Sequence, residues 1–256
     1  MSRPSVADLR AKGQPPGLKE RVNEEHWAGR LYMRDLSPYA STIFVRWGVP
    51  PNPITYLMIL AGVGAGLLLT LGGVLSAVGA LLLVQLYLLL DCSDGEVARY
   101  TGRTSVAGIY LDRIGHYLAE IALLVGLGIR AQGAWEAGGW VIAGMAAALG
   151  AALIKVETDN VVVARAKAGL PDQVSEEAAR PRSRGLGVAR RLAAATRFHR
   201  IIQAVELSLL VVVAAVIDAA RGDLLATQVL VVGCVVVAAL QTVLHLVSVL
   251  VSRRLE

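Results

Sequence analysis

The chain has 256 residues, of which 55% are hydrophobic and 18% are charged, and its mean hydropathy is +0.57. This balance excludes an ordinary soluble domain and predicts an integral membrane protein. The formal net charge of +5 is modest, so the positions of the positive residues carry more information than their sum. Because the first residues contain no apolar core, we do not expect a signal peptide.

An N-terminal arm, residues 1–48, is predicted to lie in the cytoplasm and to contain a short amphipathic helix near the membrane. The helix is predicted from five apolar side chains that fall on roughly one helical face: Leu36, Tyr39, Ile43, Phe44 and Trp47. A helix of this kind lies in the plane of the membrane interface. The pair Pro50 and Pro51 is expected to end it before the first membrane span begins.

Residues 49–256 are predicted to form one transmembrane domain. A helix needs about 20 apolar residues to cross the hydrocarbon core. Six segments come close to this length: Ile54–Leu71, Gly73–Leu90, Gly108–Ile129, Gly138–Ala164, Ile201–Ala220 and Leu224–Val251. The predicted fold class is therefore an all-α integral membrane protein with six transmembrane helices, preceded by an interfacial amphipathic helix.

The Lys and Arg residues predict how these helices are oriented. They concentrate in the arm, in the connections after the second and fourth spans, and in the tail, whereas the alternate connections hold Arg130 and Arg221. By the positive-inside rule, both termini are cytoplasmic. The Arg-rich connection 165–200 either anchors the chain to anionic lipids or grips a substrate phosphate through Arg197 and Arg200. No reader motif accompanies these charges, so nucleic acid is not an expected partner.

An acidic cluster follows the second span, in the stretch LDCSDGEVARYTGRTSVAGIYLDRIGHY. Asp91 and Asp94 are three residues apart at the end of one helix. Asp112 and His116 are four apart at the start of the next, so each pair shares a helical face. A short loop makes the two helices antiparallel, and we expect the four side chains to converge. Charges at this depth are costly unless they are paired or bound to a ligand.

The residues alone allow three interpretations of this cluster. The aspartates end a helix in water, they join Arg99 and Arg113 in an ion-pair network, or they bind divalent cations. Hard cations such as Mg²⁺ take carboxylate oxygens and often hold substrate phosphates as well. We favour the cation site, because Gly95 permits close approach of a ligand and Arg99 suits a phosphate.

The spacing D-x2-D-G-x2-A-R-x8-G-x3-D-x3-H resembles the signature of the CDP-alcohol phosphotransferase (phosphatidyltransferase) family, in which the last residue is Asp. Seven of the eight positions match: Asp91, Asp94, Gly95, Ala98, Arg99, Gly108 and Asp112. The segment PNPIT, which contains Asn52, resembles an element that precedes the first span in such enzymes. Together with the helical layout, the resemblance extends over about residues 35–252.

The resemblance implies a membrane transferase of phospholipid biosynthesis. Such enzymes bind a CDP-alcohol, usually CDP-diacylglycerol, at the cytoplasmic face of the bilayer. The hydroxyl of a small polar alcohol attacks the β-phosphate, and CMP leaves. By position, Asp91, Asp94 and Asp112 bind two divalent cations, Mg²⁺ or Mn²⁺. The nucleotide pocket is formed by Gly95, Ala98, Arg99, Gly108 and Asn52. Members are commonly homodimers.

His116 stands where the family has its last Asp, which serves as the general base. A neutral imidazole can accept a proton from a hydroxyl, because its ordinary pKa lies near neutral pH, and it can also bind a metal. We therefore predict catalytic roles for His116 and Asp112 and count His116 among the metal ligands. The alternatives are a binding or scaffold protein with an impaired site, and a cation transporter.

Other polar residues interrupt the helices. Glu120, four residues after His116, either orients its imidazole or pairs with another polar group. Glu96 is expected to face water at the helix end. Near the end of the fourth span stand four more: Lys155, Glu157, Asp159 and Asn160. They line a pocket for the acceptor or, as we favour, mark the emergence of the helix from lipid.

Overall fold

The computed structural model describes residues 4–20, 26–171, 198–252 and 254–255. Within these ranges the regular structure is helical, without a strand. The described α-helices are α1 (Val6–Gly13), α2 (Arg34–Arg46), α3 (Pro51–Leu69), α4 (Gly73–Thr101), α5 (Val106–Gln132), α6 (Gly139–Lys167), α7 (Ala204–Arg221) and α8 (Leu225–Val251). The predicted contact of Arg197 with a phosphate lies outside the described residues.

Five of these helices are long and apolar enough to cross a membrane, namely α3, α4, α5, α6 and α8. This result confirms the all-helical membrane fold class. The fifth predicted segment forms α7, but its 18 residues include Glu206, Asp218 and Arg221 near the two ends. Its length and composition alone therefore do not mark it as a span, and the sixth crossing stays a prediction.

The second predicted span ends at Leu90, yet α4 continues to Thr101. The polar motif ends the apolar run without ending the helix, because its residues carry no helix breaker other than a single glycine. The helix stops where Gly102 adopts a left-handed φ of +67°, which glycine accepts without strain. The acidic motif is thus carried on a rigid helix rather than on a loop.

α2 is the predicted amphipathic helix. Trp47 and Tyr39 are 76% and 58% exposed, whereas Ser37 and Ser41 on the opposite face are buried. α2 and α1 both pack against α4, so the polar face of α2 is turned toward the motif helix. Pro50 caps α3 and Pro51 opens it, which confirms the predicted break. The division into an arm and a transmembrane domain stays a prediction.

α3 holds the bundle together at the site, because it packs extensively against both α4 and α5. Its approach to α5 depends on glycine. A Cβ added at Gly66 would overlap the backbone of Ala122, and one added at Gly126 would overlap the carbonyl of Gly66. α5 packs in turn on α6, and α6 on α8. This packing brings the start of α3, the end of α4 and the start of α5 together.

Candidate active site

A cavity of about 400 Å³ opens where these three helices meet. Its lining includes every residue predicted for the site: Asn52, Asp91, Asp94, Gly95, Ala98, Arg99, Gly108, Asp112 and His116. The structure therefore brings all nine residues to one place, although their chemical roles stay predictions.

The turn between α4 and α5 sets the geometry of the cavity. A four-residue connection, 102–105, reverses the chain. Ser105 caps α5, because its hydroxyl accepts a hydrogen bond from the backbone N–H of Gly108 at 3.0 Å. The first turns of α5 consequently place Asp112 and His116 opposite Asp91 on α4.

Asp91, Asp112 and His116 form one compact group of donor atoms. One ligand atom from each residue lies within 4.8 Å of the others. Nε2 of His116 is 3.2 Å from Oδ1 of Asp91 and 3.6 Å from Oδ1 of Asp112. Two carboxylates and an imidazole fit a divalent cation such as Mg²⁺ or Mn²⁺, and imidazole favours the softer ion. Three of the four predicted metal ligands are thus adjacent.

Asp94 lines the same cavity but lies apart from this group of donor atoms. Its Oδ2 accepts a hydrogen bond from the Thr55 hydroxyl at 2.6 Å, and the residue is only 7% exposed. Thr55 belongs to the PNPIT segment at the start of α3. The start of α3 therefore supports the motif directly, and metal binding by Asp94 stays a prediction.

Tyr87 is a site residue that the sequence reasoning missed. Its hydroxyl hydrogen-bonds Nδ1 of His116, and the two rings meet edge-on with centroids 5.8 Å apart. Tyr87 is buried and lies four residues before Asp91, so it shares that face of α4. This spacing was the available signal. The contact orients the imidazole and leaves Nε2 directed at the two carboxylates.

The two motif glycines make room for polar neighbours. A Cβ added at Gly95 would lie 3.0 Å from Nη1 of Arg99, and one added at Gly108 would lie 3.2 Å from Oδ1 of Asn52. Side chains at these positions would therefore displace the groups that line the cavity. The close approach of a ligand at Gly95 stays a prediction, since the neighbour found there is the side chain of Arg99.

The structure also bears on the two other interpretations of the aspartates, an ion-pair network with arginines and a helix end in water. Arg113 pairs with Asp159, and Arg99 donates from Nε to the carbonyl of Gly13. The proposed network of these arginines with the motif aspartates is therefore not the arrangement found. Exposure to water does not describe Asp94, which is buried, whereas Asp91, Asp112 and His116 are partly exposed.

The prediction that Glu96 faces water is wrong. The side chain is fully buried and accepts hydrogen bonds from Ser37, Ser41 and Gln14 at 2.5, 2.7 and 2.8 Å. α4 continues past the motif, and α2 and α1 cover its outer face. Nothing in the local sequence signals this cover, because it depends on how the arm folds back.

A second cavity, of about 210 Å³, also borders His116. It is lined by Arg113, His116, Tyr117, Ile154, Lys155, Thr158 and Asp159. Nζ of Lys155 is 3.0 Å from Oε1 of Glu120, so Glu120 pairs with a lysine rather than with the imidazole. Lys155 and Asp159 line this cavity, and the choice between an acceptor pocket and emergence from lipid stays a prediction.

Comparison with known proteins adds a family match. Residues 49–176, half of the 256-residue chain, match the family model described as CDP-alcohol phosphatidyltransferase. The matched region contains α3 to α6 and every residue predicted for the site.

Three characterised proteins are similar to parts of the chain. An archaetidylinositol phosphate synthase of Aeropyrum pernix is 38% identical over 82 residues, which are 32% of this chain and 41% of the relative. A phosphatidylinositol phosphate synthase of Streptomyces avermitilis is 34% identical over 113 residues, covering 44% and 43%. A bifunctional IPC transferase and DIPP synthase of Aquifex aeolicus is 30% identical over 125 residues, covering 49% and 26%. The chain thus spans less than half the length of these relatives.

Proposed function

The chain belongs to the CDP-alcohol phosphatidyltransferase family, and we propose that it transfers a phosphatidyl group from CDP-diacylglycerol, or a related group from another CDP-alcohol, to a polar alcohol. One observation carries the proposal: all nine predicted residues line a single cavity at one end of the membrane helices. The protein is an integral membrane protein, so a lipid-linked donor can reach this cavity from the bilayer.

The nucleotide of the donor occupies the larger cavity in this proposal. Arg99 and Arg34 supply positive charge there, and Asn52 offers hydrogen-bonding groups. Gly95 and Gly108 keep space beside Arg99 and Asn52. The positive-inside pattern supports a cytoplasmic position for this end of the bundle, where the CDP headgroup of a membrane-embedded donor would face the cytoplasm.

The acceptor occupies the smaller cavity on the other side of His116. Two relatives are named for products that contain inositol phosphate, and we propose an inositol phosphate as the acceptor. Lys155 and Arg113, which pair with Glu120 and Asp159, line this cavity and would contact the phosphate of the acceptor. His116 lines both cavities, so it stands where the acceptor hydroxyl would meet the donor.

Divalent cations complete the proposed site. Asp91, Asp112 and His116 would hold one cation, and Asp94 would contribute to a second. When bound, the cations supply the positive charge that neutralises the pyrophosphate of the donor. An Nε2 that binds a cation cannot accept a proton, so during transfer Asp91 and Asp112 would hold the cation without His116, which would act as the base.

In the proposed step, the acceptor hydroxyl oxygen attacks the β-phosphorus of the donor. A new phosphorus–oxygen bond forms, the bond from that phosphorus to the oxygen of CMP breaks, and CMP leaves with the electron pair. Nε2 of His116 takes the hydroxyl proton. Tyr87 holds the opposite nitrogen, and the carboxylates of Asp91 and Asp112 stabilise the imidazolium that results.

The proposal also includes the oligomeric state, which rests on the family resemblance, and the orientation and partners of the chain. The protein acts as a homodimer in the cytoplasmic membrane, with both termini in the cytoplasm. Its partners are the CDP-alcohol, the polar acceptor and the bilayer, and nucleic acid is not among them.

Release of CMP by the full chain in lipid nanodiscs tests this function. The assay supplies CDP-diacylglycerol with Mg²⁺ or Mn²⁺ and, one at a time, inositol phosphate, inositol, glycerol phosphate and serine. We expect release to require the acceptor and to be fastest with inositol phosphate. Asp91→Asn should lower the rate by at least about a hundredfold. Asp223→Asn, in the exposed connection after α7, is the matched control and should match the wild-type rate.

Two other results of this assay would reject part or all of the proposed transfer. Acceptor-dependent release with another alcohol would keep the transferase and reject the inositol phosphate. No release with any acceptor, together with metal-dependent CDP binding, would reject the transferase in favour of a binding protein.

A further inference from the structure

The N-terminal segment, defined as α1 with Gln14, contacts the motif helix directly. α1 packs against α4. The ammonium of Lys12 lies 5.7 Å from the centre of the Tyr100 ring. A Cβ added at Gly13 would lie 3.1 Å from the carbonyl oxygen of Glu96, so the two backbones are close. A segment far from the motif in sequence is therefore part of its surroundings.

Glu96 is the centre of this contact. It follows Asp94 and Gly95 on α4, but its side chain is directed at α2 and the N-terminal segment instead of the cavity. It is fully buried, and the hydroxyls of Ser37 and Ser41 and the amide of Gln14 donate to it. A buried carboxylate needs such donors, because leaving one unsatisfied is costly. The function proposed above does not use this group.

The same contact reaches two arginines of the cavity. Nε2 of Gln14 donates to the carbonyl of Arg34 at 2.7 Å, and Nη1 of Arg34 is 3.9 Å from Oε1 of Glu96. Arg99 donates from Nε to the carbonyl of Gly13. Both arginines line the larger cavity. Gln14 therefore contacts the backbone of Arg34, and Gly13 contacts the side chain of Arg99.

We infer that Glu96 and Gln14 are positioning residues, through which the N-terminal segment orients Arg34 toward the diphosphate of the nucleotide, while the Gly13 carbonyl holds Arg99. The inference rests on the proposed function, because that function places the diphosphate in this cavity. A free arginine side chain loses conformational entropy when it binds an anion. Arginines that are already oriented bind more tightly, since this entropy is lost during folding instead of during binding.

The affinity of the full chain for CDP tests the inference without requiring turnover. Calorimetric titration of CDP with Mg²⁺, in nanodiscs, compares the wild type with Gln14→Met and Glu96→Gln. Gln14→Met removes both donated hydrogen bonds at similar volume, and Glu96→Gln removes the charge while keeping an acceptor for the serines. We expect each change to weaken CDP binding about tenfold. The matched control Gln132→Met, a half-buried glutamine on α5, should bind CDP like the wild type.

A double substitution separates positioning from general structural support. In an Arg34→Gln background, Gln14→Met should cost no further CDP affinity, because the arginine through which it acts is gone. The midpoint of thermal unfolding for Gln14→Met should stay within a few degrees of the wild type.

Wild-type affinity in Gln14→Met would overturn the inference, and so would fully additive losses in the double variant. The CMP assay is run in parallel on the same samples. Wild-type protein that binds CDP without releasing CMP rejects the proposed transferase while the CDP titrations still decide the inference. Absence of CDP binding by the wild type would reject both.

Discussion

At the scale of the residue, the contact between Tyr87 and His116 explains how an imidazole can stand in a position that the family fills with Asp. A carboxylate accepts a proton on either oxygen, whereas an imidazole must present one particular nitrogen. The Tyr87 hydroxyl is at Nδ1, and the carboxylates of Asp91 and Asp112 are near Nε2. The ring is therefore oriented from both sides.

This orientation predicts a measurable role for the Tyr87 hydroxyl. Tyr87→Phe should lower kcat and the affinity for Mn²⁺ by about 10- to 100-fold, as losses of hydrogen bonds to metal-binding histidines do. Turnover and electron paramagnetic resonance of bound Mn²⁺ measure the two quantities. Tyr32→Phe is the matched control, because the Tyr32 hydroxyl donates to Gln85 away from the cavity. Equal behaviour of the two variants would show that Tyr87 only packs.

Two substitutions of His116 test its predicted role as the general base. His116→Ala should reduce turnover by about 10²- to 10⁴-fold, the usual contribution of a general base. His116→Asp restores the family residue and should retain turnover, with a preference shifted from Mn²⁺ toward Mg²⁺. Initial rates in each metal measure both effects. Full turnover by His116→Ala would exclude the imidazole as the base.

At the scale of the element, the site depends on how closely α3 approaches α5. Gly66→Val should lower the thermal midpoint and abolish turnover, because its side chain would overlap the backbone of Ala122. Gly64→Val on the same helix is the control, since a Cβ there meets only Leu83 at 3.7 Å. Scanning calorimetry or fluorescence in nanodiscs measures the midpoint. Equal midpoints for the two variants would contradict the packing described here.

Helices and motif were predictable because their signals are local. An apolar run of sufficient length identifies a membrane helix. Residues three or four apart share a face, and the short connection between the two helices predicts that the acidic faces meet. The extension of α4 to Thr101 was missed because the apolar run stops before the helix does. The burial of Glu96 could not be predicted, since it depends on α1 and α2 folding back over α4.

At the scale of the whole molecule, the number of membrane crossings depends on whether α7 crosses the bilayer. The charged residues of α7 lie near its ends and are paired there: Glu206 with His26 and Trp27, and Asp218 with the start of α8. Charges satisfied at both ends are compatible with an apolar middle that crosses the bilayer.

Six crossings would place the exposed residues before and after α7 on opposite sides of the membrane. A cysteine introduced at Asp223 should react with an impermeant maleimide added outside intact cells, and one at Lys167 should react only after permeabilisation. Both positions are exposed, and the native Cys92 and Cys234 are buried, so the background is low. Labelling of Asp223→Cys only after permeabilisation would show that α7 does not cross.

The identity of the lipid product tests the proposed transfer most directly. Wild-type protein in nanodiscs is incubated with CDP-diacylglycerol, divalent cation and inositol phosphate, and the lipids are identified by mass spectrometry. We expect a phosphatidylinositol phosphate that accumulates in equal amount with CMP and is absent from Asp91→Asn. Release of CMP without a new phospholipid, or no reaction with any alcohol, would contradict the proposed transfer.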